Sequence, residues 1–167
     1  LIKIGIKIDG VGTSELKVVG LDNKTESVNV EHTIIPDRIE AGTFLVASAI
    51  TKSDLKIVNV NPNHLTAVTD ALLASGCEIK TDETSISIFP GKSIKPVNII
   101  TDIYPGYPTD LQAQWVVLMS LADGRSMVQD TIYNDRFSHI PELNRLGAQI
   151  TLEENIAYIE GVKKLYG

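Results

Sequence analysis

The sequence predicts an α+β fold made of two tandem βαβαββ units, with the helices on one face of a shared sheet. Segments in which apolar residues recur at helical spacing alternate with short segments of strand-like alternation. Landmark residues recur 71 positions apart: Gly76 and Gly147 each follow a helical segment, and Phe44 corresponds to Trp115. Both halves also contain the same order of segments, which favours an internal duplication.

Composition and charge exclude several classes of protein. The chain has 167 residues, of which 43% are hydrophobic, and roughly 100–200 residues usually form one domain. A net charge of −6 at pH 7 argues against a nucleic-acid or anionic membrane surface. One cysteine excludes a disulfide framework, and no apolar run reaches the length of a membrane helix. We therefore expect a soluble cytoplasmic protein. Its start at Leu1 instead of Met suggests a piece of a longer chain.

The first unit is predicted at 33–91, after residues 1–32, which we interpret as terminal strands of a preceding unit at about 2–8 and 15–19. A helix at about 39–50 is apolar nearly all round, which predicts burial. Asn63 is a candidate N-cap for a second helix, and Gly76 a candidate C-terminal stop. The remaining segments are predicted strands at 28–35, 55–60 (apolar on both faces, as in a covered sheet), 78–81 and 85–89.

The second unit, at 92–167, repeats this plan, and both units would belong to one incomplete domain. Thr109 and Gln112 fit a capping box at the start of its first helix. Gly147 ends its second helix. The predicted segments are strands at 98–101 and 126–132, helices at 111–121 and 141–146, and a final hairpin of 148–152 with 157–160.

Three polar stretches stand out at 35–44, 104–114 and 133–143, and the first two occupy the strand-to-helix turn of each unit. They contain the segments PDRIEAGTFLVASAI, YPGYPTDLQAQ and NDRFSHIPELNRLGA. Each resembles a segment of the enolpyruvyl transferase family, and specifically of UDP-N-acetylglucosamine 1-carboxyvinyltransferases. The resemblance is collinear over nearly the whole chain. It implies an inside-out α/β barrel or prism of βαβαββ units, of which this chain would hold only part.

The same resemblance implies a reaction. Such an enzyme joins phosphoenolpyruvate to the 3-hydroxyl of UDP-N-acetylglucosamine and releases phosphate, without a cofactor, at the first committed step of peptidoglycan precursor synthesis. Asp110 matches the family carboxylate that contacts the sugar and is the proposed catalytic base. From the residues alone, an aspartate at a helix start is better explained by capping or by the helix dipole, and the structural and catalytic roles can coexist.

Further substrate contacts follow from the resemblance. Ile132 matches a position whose backbone contacts the nucleotide sugar, although taken alone it predicts a packed strand residue. Thr109 is a candidate sugar contact. Arg136 matches an arginine near the domain cleft, where a guanidinium can meet an anionic substrate. Its structural alternative is an ion pair with Asp135 or Glu142.

Arg38 lies at the equivalent turn of the first unit. It either faces the cleft as a substrate-binding residue or pairs with Asp37 or Glu40.

Departures from the family pattern are equally informative. The family's proton donor is usually a cysteine on a mobile loop, whereas Cys77 directly follows Gly76 and is predicted to be a buried, inert thiol. The proton donor and most phosphate ligands would lie in the rest of the parent enzyme, so we expect this chain alone to be inactive. A domain without its third unit would expose apolar edges, which favours self-association.

Two alternatives remain open. One is a 3-phosphoshikimate 1-carboxyvinyltransferase, which shares the fold and the phosphoenolpyruvate chemistry. The other is a non-catalytic module that binds a nucleotide sugar or packs on a partner domain. His32, His64 and His139 lack metal-ligand spacing, so we interpret them as satisfied structural histidines and expect no metal.

Overall fold

A computed structural model of the protein describes residues 1–20 and 29–167. It divides into two compact parts, Leu1–Ile35 and Pro36–Gly167, and the second part contains both predicted repeats. In the part Leu1–Ile35, β1 (Lys7–Asp9) pairs antiparallel with β2 (Lys17–Val19). The strand predicted from residue 2 is wrong in its first half, because Ile2–Ile4 forms a 3-10 turn that Gly5 ends in a left-handed conformation, with φ of 91°.

The strand predicted at 28–35 is also wrong for the residues that can be compared. Residues 29–35 form no strand, and Val28 lies outside the described residues. This segment belongs to the same compact part as β1 and β2 and is held to it by a 2.7 Å hydrogen bond from the Lys3 amine to the Glu31 carbonyl, but it pairs with no described strand.

The first repeat, which begins the part Pro36–Gly167, folds as a helix-covered antiparallel sheet. Its strands lie in the order β3, β5, β4. The elements are α1 (Arg38–Thr51), β3 (Leu55–Val58), α2 (Thr66–Ala74), β4 (Glu78–Thr81) and β5 (Ser85–Phe89). Helix α1 begins where predicted because the Asp37 carboxylate caps it, accepting from the backbone N–H of Ile39 at 2.7 Å and of Glu40 at 3.2 Å.

Two local predictions for this repeat are wrong. Asn63 is not an N-cap: Asn61 caps a 3-10 turn at Pro62–His64, and α2 begins only at Thr66. Strand β3 is not covered on both faces either. Its alternate residues Leu55 and Ile57 are half-buried, whereas Val58 is 60% exposed, since helices cover the sheet on one side only. Gly76, with φ of 101°, does end α2 as predicted.

The second repeat has the full predicted order of elements. They are β6 (Ile99–Ile100), α3 (Gln112–Met119), β7 (Arg125–Gln129), α4 (Ile140–Arg145), β8 (Gln149–Glu153) and β9 (Ile156–Glu160). The sheet order is β6, β7, β9, β8, with β6 and β7 parallel and the other pairs antiparallel. The described strands of the two repeats form separate sheets, so the prediction of one shared sheet is wrong.

The two repeats pack together through their first helices instead. Gly42 of α1 allows the close approach, because a Cβ atom at this position would lie 2.4 Å from Cδ1 of the buried Leu111. Thr43 and Gln114, which occupy equivalent positions 71 residues apart, join α1 to α3 by a 3.0 Å hydrogen bond from the amide to the hydroxyl. Trp115 is fully buried next to this seam. Among the described helices, none combines the length and the apolar character needed to cross a membrane.

Candidate functional site

The sequence-predicted site lies where the connections after β6 and β7 meet. These two strands are parallel, with Ile99 opposite Val128, so both end at the same edge of the sheet. In open α/β sheets, ligands commonly bind beyond such carboxyl ends. After β6 the chain runs through residues 102–108 to a 3-10 turn at Thr109–Leu111, which leads into α3. After β7 it turns at Asp130 toward Arg136.

Asp130 is the centre of this edge and is fully buried. One carboxylate oxygen, Oδ1, accepts hydrogen bonds from the Thr101 hydroxyl at 2.8 Å and from the backbone N–H of Ile132 at 3.0 Å and Tyr133 at 2.9 Å. The other, Oδ2, accepts from the Thr109 hydroxyl at 2.6 Å. Burial acts to raise the pKa of Asp130, but these four hydrogen bonds outweigh it and hold the pKa below its ordinary value. Asp130 is therefore a buried, ionised carboxylate at neutral pH.

The Asp110 carboxylate lies at the surface of the same cluster. Arg136 Nη1 donates to Asp110 Oδ1 at 2.6 Å and to the Thr109 hydroxyl oxygen at 3.3 Å. The side chains of Asp110 and Arg136 are 50% and 41% exposed, so both remain open to solvent. The Arg136 guanidinium also lies over the Tyr133 ring, 5.8 Å from its centroid. The cluster thus presents one carboxylate and one guanidinium side by side.

Asp110 lies in the first turn of the 3-10 segment Thr109–Leu111, as the helix-dipole alternative requires, but the predicted capping bond and the predicted partners of Arg136 are not observed. The hydrogen bond recorded for the Asp110 carboxylate in the described part of the chain comes from Arg136 and not from the start of α3. Arg136 binds Asp110 instead of Asp135 or Glu142, while Glu142 pairs with Arg145 at 3.0 Å.

Thr109 is also part of the cluster, but not as a capping box. Its hydroxyl donates to Asp130, and Gln112 is buried with both side-chain polar atoms lacking a partner in the described structure. The capping-box prediction is wrong because the residues that precede the 3-10 turn and α3 are Pro108 and Leu111, and neither helix start has a side-chain cap in the described structure. The Thr109 oxygen accepts from Arg136 instead.

Ile132 lies outside any strand, since β7 ends at Gln129, and it is 43% exposed. The interpretation as a packed strand residue is therefore wrong. Its backbone N–H is bound to Asp130 Oδ1. Within the described residues, no hydrogen bond to its carbonyl oxygen is recorded.

Arg38 stands apart from the other predicted site residues. Its guanidinium lies 5.1 Å from the centroid of the Tyr104 ring, on the loop that leads to Asp110. In the described part of the chain it forms no ion pair, because Asp37 caps α1 instead. The structure therefore brings together Asp110, Thr109, Ile132 and Arg136, and places Arg38 against the Tyr104 ring instead.

Asp130 and Thr101 belong to the candidate site but were not predicted from the sequence. Asp130 falls inside the strand predicted at 126–132, and Thr101 at the end of that at 98–101. A charged residue inside a predicted strand is the signal that could have identified Asp130, because a buried charge needs compensating partners.

The cysteine and histidines behave differently from one another. Cys77 is buried, as predicted. His64 Nε2 lies 3.1 Å from Asn61 Nδ2, which confirms a satisfied structural role. His139 is half-buried and stacks on Phe137, but its buried Nε2 has no partner among the described residues, so the prediction is wrong for this histidine.

Comparison with known proteins identifies similar sequences along the whole chain. The family model described as EPSP synthase (3-phosphoshikimate 1-carboxyvinyltransferase) matches residues 1–167. A UDP-N-acetylglucosamine 1-carboxyvinyltransferase from Chloroherpeton thalassium is 45% identical over 165 residues, covering 99% of this chain and 38% of the relative. One from Helicobacter pylori strain P12 is 47% identical over 164 residues, covering 98% and 38%. One from Geotalea daltonii is 47% identical over 167 residues, covering 100% and 39%. The chain thus spans less than two-fifths of these relatives.

Solved structures show the same fold. The enolpyruvyl transferase NikO from Streptomyces tendae matches with a TM-score of 0.81 at 22% identity, over 96% of this chain and 38% of that protein. EPSP synthase from Acinetobacter baumannii matches with a TM-score of 0.61 at 17% identity, over 99% and 38%. These likenesses confirm the predicted incomplete α+β fold of the enolpyruvyl-transferase type. Together with the family match over all residues, they show that the chain belongs to the EPSP synthase family.

Proposed function

We propose that the protein to which this chain belongs transfers the enolpyruvyl group of phosphoenolpyruvate to the 3-hydroxyl of UDP-N-acetylglucosamine and releases phosphate. The observation that carries the proposal is the Asp110 carboxylate, which is half-exposed and accepts a hydrogen bond from the Arg136 guanidinium. The names of relatives at 45–47% identity support the choice of acceptor. We assign this step to the start of peptidoglycan precursor synthesis, in the cytoplasm, and so to cell-wall formation, cell shape and cell division.

Asp110 acts as the general base in this proposal. A base must come within about 2.6–3.2 Å of the hydroxyl whose proton it takes. As the proton leaves, the sugar oxygen bonds to C2 of phosphoenolpyruvate, and a separate acid protonates the alkene carbon to give a tetrahedral ketal. Loss of a methyl proton and of phosphate then restores the double bond. We assign that acid to the rest of the parent enzyme, because Cys77 is buried away from solvent.

The other cluster residues supply substrate contacts. Ile132 offers its carbonyl oxygen to a sugar hydroxyl or amide, because its N–H is already bound to Asp130. Thr109 can accept one further hydrogen bond, since its proton goes to Asp130. Arg136 and Arg38 provide cations for the anionic groups of the two substrates.

The test uses a hybrid enzyme, in which this chain replaces the matching segment of the Geotalea daltonii relative, aligned here over 167 residues. We expect phosphate release from phosphoenolpyruvate that depends on UDP-N-acetylglucosamine. Asp110→Asn should lower kcat by about 10²–10⁴-fold, the usual contribution of a general base. Asp102→Asn is the matched control, because Asp102 is an exposed carboxylate of the same loop whose recorded donor, among the described residues, is the backbone N–H of its neighbour Ile103. Full activity of the Asp110 variant would contradict the assignment.

A second acceptor has a specific observation in its favour, since the matching family model is described as 3-phosphoshikimate 1-carboxyvinyltransferase. The same assay with shikimate 3-phosphate separates the two reactions. Phosphate release with this acceptor alone would replace the proposed substrate. Binding of UDP-N-acetylglucosamine without phosphate release would favour the non-catalytic alternative.

A further inference from the structure

We propose that Asp130 is the positioning residue of this site: through the Thr109 hydroxyl it orients the Asp110–Arg136 pair, and through two backbone N–H groups it orients the main chain at Ile132. The catalytic consequence rests on the proposed function. The geometric consequence does not, because the placement of the pair can be measured without any substrate.

The first argument is the direction of the Thr109 hydrogen bond. An ionised carboxylate only accepts, so the hydroxyl proton of Thr109 must point at Asp130 Oδ2, 2.6 Å away. The lone pairs of the same oxygen are then left for Arg136 Nη1, at 3.3 Å. Arg136 Nη1 also donates to Asp110, at 2.6 Å. The buried charge of Asp130 thus fixes the donor and acceptor roles in a series of hydrogen bonds that ends at the exposed Asp110 carboxylate.

The second argument is the turn after β7. Asp130 Oδ1 accepts from the N–H of Ile132 and of Tyr133, the pattern by which an aspartate side chain closes a local turn. That turn presents the Ile132 carbonyl and carries the Tyr133 ring on which the Arg136 guanidinium lies. Both sides of the proposed sugar contact therefore depend on one carboxylate.

The third argument is the rigidity of Asp130 itself. Its N–H donates to the Asn155 carbonyl at 3.0 Å, and its carbonyl accepts from Asn155 Nδ2 at 2.9 Å. Its side chain is bound to Thr101 beyond β6. Asp130 is thereby bound both to Thr101, directly after β6, and to Asn155, in the turn between β8 and β9. Sites supported from rigid elements hold their geometry best.

The test compares Asp130→Asn and Thr109→Val in the hybrid enzyme. The asparagine keeps the shape but removes the charge and leaves the Thr109 proton without its acceptor. Misplacement of reacting groups can cost about 10²-fold, so we expect each variant to lower kcat by about 10- to 100-fold, with a smaller change in the KM for phosphoenolpyruvate. The double variant should lose no more than the larger single loss, because residues acting through one path are not additive.

Matched controls separate positioning from stability. Asp82→Asn removes another carboxylate that accepts from a hydroxyl (Ser85) and a backbone N–H (Thr84), but in the first repeat. Thr69→Val removes another buried hydroxyl, in α2. Both should lower the melting temperature and leave kcat within about 2-fold, as expected for additive, distant sites. Additive losses in the Asp130/Thr109 double variant, or equal kcat losses in the controls, would overturn the proposal.

Crystal structures of the hybrid and its two variants decide the geometric part. We expect the Asp110 carboxylate and Arg136 guanidinium to move or lose their mutual contact in both variants. An unchanged pair would overturn the proposal even if the hybrid is active. If the hybrid has no transferase activity, the proposed function fails and this comparison still stands. If Asp130→Asn does not fold, the structure of Thr109→Val alone provides this comparison.

Discussion

Asp37 and Asp110 both precede a helix of their repeat, yet their carboxylates have different partners. The repeat spacing of 71 explains this: the position equivalent to Asp37 is Pro108, whereas Asp110 is equivalent to Ile39, inside the helix start. Asp37 therefore caps α1, and Pro108 offers no capping side chain. Asp110 is left free to bind Arg136, which lies 26 residues later in the chain.

A pH-dependent stability is expected from His139. Burial of the ring lowers the pKa of His139 below its ordinary value. In the unfolded chain, histidine has a pKa of about 6.5. Between the lower pKa of His139 in the folded protein and this value, the unfolded chain therefore binds more protons than the folded protein. Stability should fall as pH drops through this window and level off above it. The melting temperature should drop more between about pH 7.5 and pH 5.5 in the parent than in His139→Gln. Equal drops would contradict the assignment.

Phe44 and Trp115 show how equivalent elements differ in their surroundings. They occupy the same position of α1 and α3, but Phe44 is 54% exposed and Trp115 is fully buried. Trp115 packs edge-on against Tyr107, with ring centroids 5.5 Å apart. The helix of the second repeat is covered on this side, and that of the first is not.

Self-association of the isolated chain is expected from this exposed side of α1. An exposed aromatic next to the exposed Val58 favours contact with another apolar surface. Phe44→Ser should shift the chain toward monomer in sedimentation velocity over a range of concentrations. Leu73→Ser is the matched control, since Leu73 is 47% exposed on the neighbouring α2. A parent chain that stays monomeric at all concentrations would disprove the expectation.

At the scale of the whole molecule, the chain spans 38–39% of the curated relatives it matches. The described cluster contains a candidate base, Asp110, and one arginine, Arg136, and we assign the proton donor to the remainder of the parent enzyme. We therefore expect the isolated 167-residue chain to release no phosphate from phosphoenolpyruvate and UDP-N-acetylglucosamine. A coupled phosphate assay, with the hybrid enzyme as positive control, measures this. Turnover by the isolated chain would contradict this expectation and place the proton donor within this chain.

The sequence by itself determined the elements whose signals are local. The hairpin of β4 and β5 has its predicted bounds because alternation and a polar turn define it, and Gly76 and Gly147 end their helices with positive φ. The repeat order was also readable, and the resemblance to a known family singled out Asp110 and Arg136, whose roles stay predictions. Only the tertiary structure decided that the sheets are separate, that Asp110 binds Arg136, and that Asp130 lies beneath them. The contacts of Asp110 and Asp130 join residues 21 or more positions apart, and local propensity contains no term for such distances. For Asp130 the physical reason is burial, because a buried carboxylate must be hydrogen-bonded.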